Sequence, residues 1–203
     1  MRVINKDTKL FGSFSTNPGN NGCKYFNELF EKNNIDAIYK SFYCNDIEAG
    51  VFSAKTLNFS GFAISMPFKS AVLDYVDEID QAVKEIGAAN TVVNRNGKLV
   101  AYNTDWLGVY KYLLDPPKFI TILGNGGFSK AVQYACSKLG IDFKVVTREN
   151  WDLVEHLEGT IFNATPVEVT VRGILIDGRP FTDTGKEIAA LQAYEQYKLY
   201  LNE

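Results

Sequence analysis

The chain has 203 residues, 46% hydrophobic and 22% charged, the composition of a folded globular protein with room for one large domain or two small ones. A net charge of −3 excludes a strongly basic nucleic-acid or anionic-membrane surface as the main feature. The single histidine, His156, excludes a zinc site built on several imidazoles and leaves a Ser-His-Asp hydrolase resting on one residue. Chemistry is therefore expected from Lys, Asp, Ser, Thr and Asn. Three scattered cysteines, Cys23, Cys44 and Cys136, read as reduced, buried thiols of a cytoplasmic protein. No apolar run approaches the ~18 residues of a spanning helix, and the N-terminal segment lacks the apolar core of a signal peptide.

In chain order, Lys9–Phe14 reads as extended and Ser15–Gly22 (STNPGNNG) as a loop. Apolar residues at helical spacing predict a helix over Cys23–Asn33, and Asp36–Tyr43 is β-rich. Asn45, with Glu48 three residues on, is a candidate cap for the next helix. Gly61–Met66 reads as a buried strand, with Pro67 opening a helix. Ala89–Asn94 and Lys98–Asn103 flank Asn96-Gly97, a strong hairpin signal. A helix over 105–115 ends at Asp115-Pro116-Pro117. A strand at Lys118–Leu123, a turn at Gly124–Gly127, a helix to Leu139 and a strand at Asp142–Thr147 then form the β-turn-α-β unit of a doubly wound sheet. A short helix at Trp151–Leu157, carrying His156, and a strand at Thr160–Asn163 follow. The last helix is read from a Thr184/Glu187 capping box to about Leu201, with a face of Ile188, Leu191, Gln192 and Leu199. Gln192 is a polar interruption of that face. No motif takes up His156, which reads as structural.

The turn Gly124-Asn125-Gly126-Gly127-Phe128 follows a strand and opens a helix, where unpaired N–H groups and the helix dipole suit a pyrophosphate. Its spacing is not the usual G-x-G-x-x-G, so a plain glycine-rich connection stands as the alternative. Thr147 and Arg148 end the second strand of the unit. An arginine there accommodates a 2′-phosphate and favours NADP over NAD, against the alternative of a solvated arginine beside Glu149.

Three segments, Ser65–Lys69 (SMPFK), Gly87–Asn94 (GAANTVVN) and Tyr102–Gly108 (YNTDWLG), followed by the glycine turn, Asn163-Ala164-Thr165-Pro166 and Gly185–Ala193, resemble the shikimate dehydrogenase family in order and spacing. The stretch Ser13–Gly22 resembles its shikimate dehydrogenase-like branch. The resemblance implies an α/β protein of two domains. These are a substrate domain of residues 1–104 joined by the helix of 185–203, and a shortened Rossmann-like NADP-binding domain of 105–184. It implies a cytoplasmic oxidoreductase of aromatic amino acid biosynthesis, on the route to chorismate, that interconverts 3-dehydroshikimate and shikimate. The expected partner is a small hydroxy acid, with no nucleic acid, membrane or metal, and the chain is expected as monomer or homodimer.

By the same resemblance Lys69 and Asp105 are the catalytic pair. A ketone receiving a hydride becomes an alkoxide, and an ammonium oriented by a carboxylate supplies its proton. Ser13, Ser15, Ser65, Asn90, Asn103, Thr104 and Gln192 are implied as substrate ligands. Gly124, Asn125, Gly126, Gly127, Phe128, Thr147, Arg148, Asn163, Ala164 and Thr165 are implied for the cofactor. The sequence departs from the family at Phe26, where a His is usual, and at Ala63-Ile64-Ser65 for N-V-T. The stretch between Pro166 and Gln192 is far shorter than in the family, and Pro166-Val167-Glu168 also aligns further downstream. Three readings stay open: the shikimate reaction, a degenerate member that binds ligand or nucleotide with little turnover, and a related activity on quinate or an aminated analogue.

Overall fold

The structure, a computed structural model, describes residues 3–202. The chain divides into two compact units. The first holds the described residues up to Lys84, Ala88–Asn103 and those from Gln196 on; the second holds Glu85–Gly87 and Thr104–Glu195.

The first unit is built on β1 (Lys9–Ser15), β2 (Ala37–Tyr43), β3 (Gly61–Ile64), β4 (Glu78–Ile79), β5 (Thr91–Arg95) and β6 (Lys98–Tyr102). They form a mixed sheet in the order β2-β1-β3-β5-β6-β4. β5 and β6 are the predicted hairpin, turned by Asn96 and Gly97, both at positive φ. α1 (Asn21–Lys32) and α2 (Ile47–Thr56) follow β1 and β2 as crossovers. The α2 cap is Asp46, whose carboxylate accepts from the Ala49 N–H at 3.2 Å. Asn45 stands one residue too early to do this. Phe14, Ile47, Val51, Phe62, Val72, Val92 and Leu99 form the core on the α2 side of the sheet.

On the opposite face, rows of residues in register run across the strands. Tyr39, Phe11, Gly61 and Val93 make one row, and Ser41, Ser13, Ala63 and Thr91 the next. The end of α6 (Asp183–Leu201) lies on these rows. The Tyr200 ring is 4.6 Å from that of Phe11, and a Cβ on Gly61 would stand 2.8 Å from Tyr200 Cε1. Glycine at 61 thus leaves room for the ring. The expected return of the C-terminal helix to the first domain is seen in its last turns.

Pro67 does not open a helix. Met66-Pro67 is a cis peptide in a turn, and a 3-10 helix at Ala71–Tyr75 follows. Phe68 and Val72 both enter the core, and the chain must be extended again at Val76, which leaves no length for α-helical turns. α3 (Gln81–Ile86) leads to the turn before β5.

The second unit carries a parallel sheet of β7 (Phe119–Leu123), β8 (Asp142–Val146), β9 (Thr160–Asn163) and β10 (Ile174–Asp177), in the order β10-β9-β7-β8. α4 (Asp105–Tyr112), α5 (Gly127–Leu139) and Ile188 of α6 cover one face through Val109, Leu113, Ile120, Ile122, Val132, Ala135, Phe162 and Ile176. α4 stops short of the predicted 115, capped by the Leu113 N–H on Val109 O. The other face has only a kinked 3-10 helix, Arg148–His156, and the irregular run 164–173, whose Val169 and Val171 pack against Leu123, Val154, Leu157 and Ile161. His156 is exposed at the end of that helix.

The doubly wound half-sheet is therefore reduced: the crossover from β9 to β10 has no helix. β10 was not anticipated. A single short run, Ile174–Asp177, lies behind Gly173, and a Cβ on that glycine would meet Gly159 O at 2.1 Å. The start of α6 also differs from the sequence reading. Thr182 caps it, its hydroxyl accepting from the Gly185 N–H at 3.1 Å, while the Thr184 hydroxyl bonds the backbone of Asp177. Thr184 is thus tied to β10 and cannot serve as the cap. The buried face runs Ile188, Ala193, Gln196, Tyr197 and Tyr200. Leu191 and Leu199 are only partly buried.

Candidate functional site

In the first unit, Ser13 and Ser15 project from the same face of β1, two residues apart, and Ser15 is buried. The Tyr39 hydroxyl from β2 is hydrogen-bonded to Ser13, and burial holds it protonated, well above the ordinary tyrosine range. Beside them the Cys23 thiol meets the Ser41 hydroxyl at 3.3 Å and accepts from the Ser41 N–H at 3.2 Å. Cys23 is half-buried, a correction to the expected buried thiol, whereas Cys44 and Cys136 are buried. The strand period that pairs Ser13 with Ser41 was the signal for this cluster, but strand pairing is invisible in one sequence.

Ser65 follows β3, exposed, its N–H donating to Phe14 O at 3.1 Å and its carbonyl accepting from Phe68 N. Lys69 is half-buried, and its carbonyl accepts from the Ala89 N–H at 2.7 Å. The turn 88–90 is held from the other side by Asn103, whose amide donates to Ala88 O at 2.9 Å, and by the Asn90 N–H on Tyr102 O at 3.1 Å. Asn90 C=O in turn accepts from the Ile64 N–H at 2.8 Å. Lys69, Asn90 and Asn103 thus belong to one braced segment. The Asn90 side chain accepts from the Thr91 hydroxyl at 2.9 Å, and the Gln196 amide reaches both Thr91 Oγ1 and Asn90 C=O. Gln196 carries no signal in the sequence, since only the packing of α6 against β5 brings it to Thr91.

In the second unit, Thr104 is fully buried and donates to Gln192 Oε1 at 3.1 Å. Asp105 is buried at the first position of α4, where the helix dipole favours a carboxylate. α4 and α6 cross at Gly108: a Cβ there would stand 2.8 Å from Gln192 Cβ and 2.9 Å from Ile188 O. One turn on, Lys111 and Glu195 form a close ion pair. Thr104, Asp105 and Gln192 are therefore placed together by a tight helix crossing.

The glycine turn has the geometry its sequence suggested. Gly124 sits at φ +98°, a conformation glycine adopts freely, and its N–H donates to Val146 O at 2.8 Å. The Ser129 hydroxyl donates to Gly124 O at 2.7 Å. Gly126 caps α5 with no side chain, and a Cβ there would meet nothing within 4 Å. An open cradle thus faces the first-turn N–H groups of a 13-residue helix with no acidic residue in that turn. These residues fit a dinucleotide pyrophosphate. Asn125 and Gly126 are exposed, as is Arg148 at the end of β8; Thr147, Phe128, Ala164 and Thr165 are half-buried.

Asn163 is fully buried and engaged on every side. Its Nδ2 donates to Val167 O at 2.9 Å and to Asp177 Oδ1 at 3.3 Å, and its Oδ1 accepts from the N–H and hydroxyl of Thr165. Asp177 grips the Arg179 guanidinium at 2.7 Å, both side chains nearly buried. This network at the carboxyl ends of β9 and β10 lies outside the sequence reading, since it depends on β10. Among the described residues no group of three His, Cys, Asp or Glu side chains could hold a metal ion, and no helix is long and apolar enough to cross a membrane.

The model of the shikimate dehydrogenase substrate binding domain matches residues 22–92. A shikimate dehydrogenase-like protein of Haemophilus influenzae is 39% identical over 144 residues, covering 69% of this chain and 53% of that protein. The structure of a shikimate 5-dehydrogenase-like protein superposes with a TM-score of 0.80 at 27% identity, over 99% of this chain and 94% of that one. The chain belongs to the shikimate dehydrogenase family. Shikimate dehydrogenase (NADP(+)) of Bacillus cereus is 42% identical over 139 residues, 64% of this chain and 50% of that protein. The chain thus spans about half the length of the curated relatives it matches.

Proposed function

We propose that this family member is an NADP-dependent oxidoreductase interconverting 3-dehydroshikimate and shikimate or a close analogue. The observation that supports the reading is the braced segment in which the Lys69 backbone, Asn90 and Asn103 are tied together by hydrogen bonds around the turn 88–90, within the first unit. When bound at Gly124–Phe128, the nicotinamide cofactor supplies or takes up the hydride. The Lys69 ammonium delivers a proton to the oxygen of the reacting carbonyl as negative charge develops there, and in reverse the neutral Lys69 amine takes the proton back from the hydroxyl. Asp105 is assigned the carboxylate role in that proton handling. Asn90, Asn103, Thr104 and Gln192 take ring hydroxyls, and Ser13, Ser15 and Ser65 offer neutral donors to the substrate carboxylate. Arg148 takes the 2′-phosphate; the NADP(+) designation of the Bacillus cereus relative supports that choice.

The test is purified protein with shikimate and NADP+, followed by absorbance of the reduced cofactor. Turnover is expected, and Lys69→Ala should cut kcat by about 100-fold or more while the NADP+ Kd stays within about twofold. The helix-less crossover and the Asn163–Asp177–Arg179 network favour a second reading, a nucleotide or ligand binder with little turnover. Measurable NADP+ binding without reduction in that assay would select it.

A further inference from the structure

We propose that Gln196 is a positioning residue that fixes the polarity of the Asn90 side chain through Thr91, an inference that rests on Asn90 being a substrate ligand. Gln196, Thr91 and Asn90 are all nearly or fully buried in the first unit. The Gln196 side chain reaches the Asn90 carbonyl at 3.3 Å and Thr91 Oγ1 at 2.7 Å through the same terminal atom. A backbone carbonyl carries no proton, so the end of Gln196 that faces it must be the NH2 group. That settles which way the amide points.

The consequence passes along the chain. Thr91 Oγ1 accepts a hydrogen bond from the Gln196 NH2, and its own hydroxyl proton is donated to Asn90 Oδ1, 2.9 Å away. The oxygen of the Asn90 amide is thereby committed to the protein, and the opposite end of that amide is its NH2. Asn90 is set as a donor. The substrate group it takes must present an acceptor oxygen, such as a ring hydroxyl bound through its lone pair. Without Gln196, the Thr91 proton could turn away and the Asn90 amide would lose a bond that distinguishes its two ends. A buried amide at 196, on a face otherwise made by Ile188, Ala193, Tyr197 and Tyr200, has desolvation to offset that a leucine would not. These two donated bonds meet it.

Two measurements test this. The first needs no substrate: the side-chain NH2 resonances of Asn90 in the 15N-labelled, ligand-free protein, assigned by their loss in Asn90→Asp. Gln196→Met keeps length and removes the donor; Thr91→Val keeps shape and removes the relay; Thr91→Ser keeps the hydroxyl. Gln196→Met and Thr91→Val are expected to shift these resonances and accelerate their exchange about tenfold, and Thr91→Ser to restore them. Unchanged resonances in both Gln196→Met and Thr91→Val, with unchanged melting, overturn the proposal. A variant that fails to fold leaves the decision to the other, since either one breaks the relay. The second measurement is kinetic. The shikimate KM should rise about three- to tenfold in the same two variants with NADP+ KM within about twofold, the loss expected for one neutral hydrogen bond. Equal changes in both KM values would mean general loosening and would overturn the positioning role. If the wild type neither binds nor reduces with shikimate, the proposed reaction falls, while the resonances still decide whether Gln196 sets Asn90.

Discussion

Replacing Gly108 by alanine sets two known effects against each other. Alanine in a helix interior is favoured over glycine by about 1 kcal/mol. Against this, the new Cβ would stand 2.8 Å from Gln192 Cβ, 2.9 Å from Ile188 O and 3.0 Å from Gln192 N. Carbon atoms are comfortable at about 3.5–4.0 Å, and two of these three neighbours are backbone, which cannot rotate aside. The crossing of α4 and α6 must open, and overpacking of that kind costs roughly 1–3 kcal/mol. The net expectation is a loss of about 1 kcal/mol, or a fall in Tm of roughly 2–4 °C for a chain of this size. Gly108→Val, bulkier and a poorer helix former, should lose more than twice that.

Gly19→Ala is the control, because a Cβ at 19 meets nothing within 4 Å and the residue has no positive φ. It should be neutral or slightly stabilising. Calorimetry on the four proteins reads all of this. A Gly108→Ala variant more stable than the wild type would refute the reasoning, showing that the helices part without cost. Because Thr104 holds Gln192 across the same crossing, the destabilised variants should also lose shikimate affinity before they lose NADP+ affinity.

Gly126→Ala should leave melting within about 2 °C, since the added methyl points into open space, yet raise the NADP+ Kd about tenfold or more by filling the cradle; an unchanged Kd would remove that turn from cofactor binding. Arg148→Ala should weaken NADP+ by about 10- to 100-fold and NAD+ by less than twofold, the difference of a charge-assisted bond to the 2′-phosphate, and equal effects on both would deny it that role. Burial pushes the Cys136 thiol up to about 11, so at pH 8 only about one thiol in a thousand there is ionised. Half-buried Cys23 should therefore be alkylated first in the native protein and Cys136 last, as mass spectrometry of the peptides would show; early labelling of Cys136 would contradict its burial.

Much of this fold could be read from local pattern. The β7–α5–β8 unit, the Asn96-Gly97 hairpin and the glycine turn were legible because each depends on residues close in sequence. Errors fell where a partner from far along the chain decides the outcome. β10 exists because Gly173 lets it pass against Gly159 and pair with β9, and nothing in Ile174–Asp177 alone distinguishes a strand from a loop. Thr184 has the spacing of a cap, but β10 claims its hydroxyl. The same holds for the candidate site. Lys69, Asn90 and Gln192 stand in motifs, while Tyr39 meets Ser13 and Ser41 meets Cys23 only through strand register, and Gln196 meets Thr91 only through helix packing.

The position of Gln196 and Tyr200 on the first sheet has a kinetic side. Strands β1 to β6 are all synthesised before residue 104, and Phe26 and Phe30 of α1 already lie on Tyr39 and Phe11, but the aromatic surface beside Gly61 and Thr91 is covered only when the last turns of α6 arrive. During translation that aromatic surface stays open while the whole second unit emerges from the ribosome. An interval of that kind is when a nascent chain depends on chaperones. A ribosome stalled within α6 would therefore hold a first sheet with its hydrogen bonds made and part of one side still exposed to solvent.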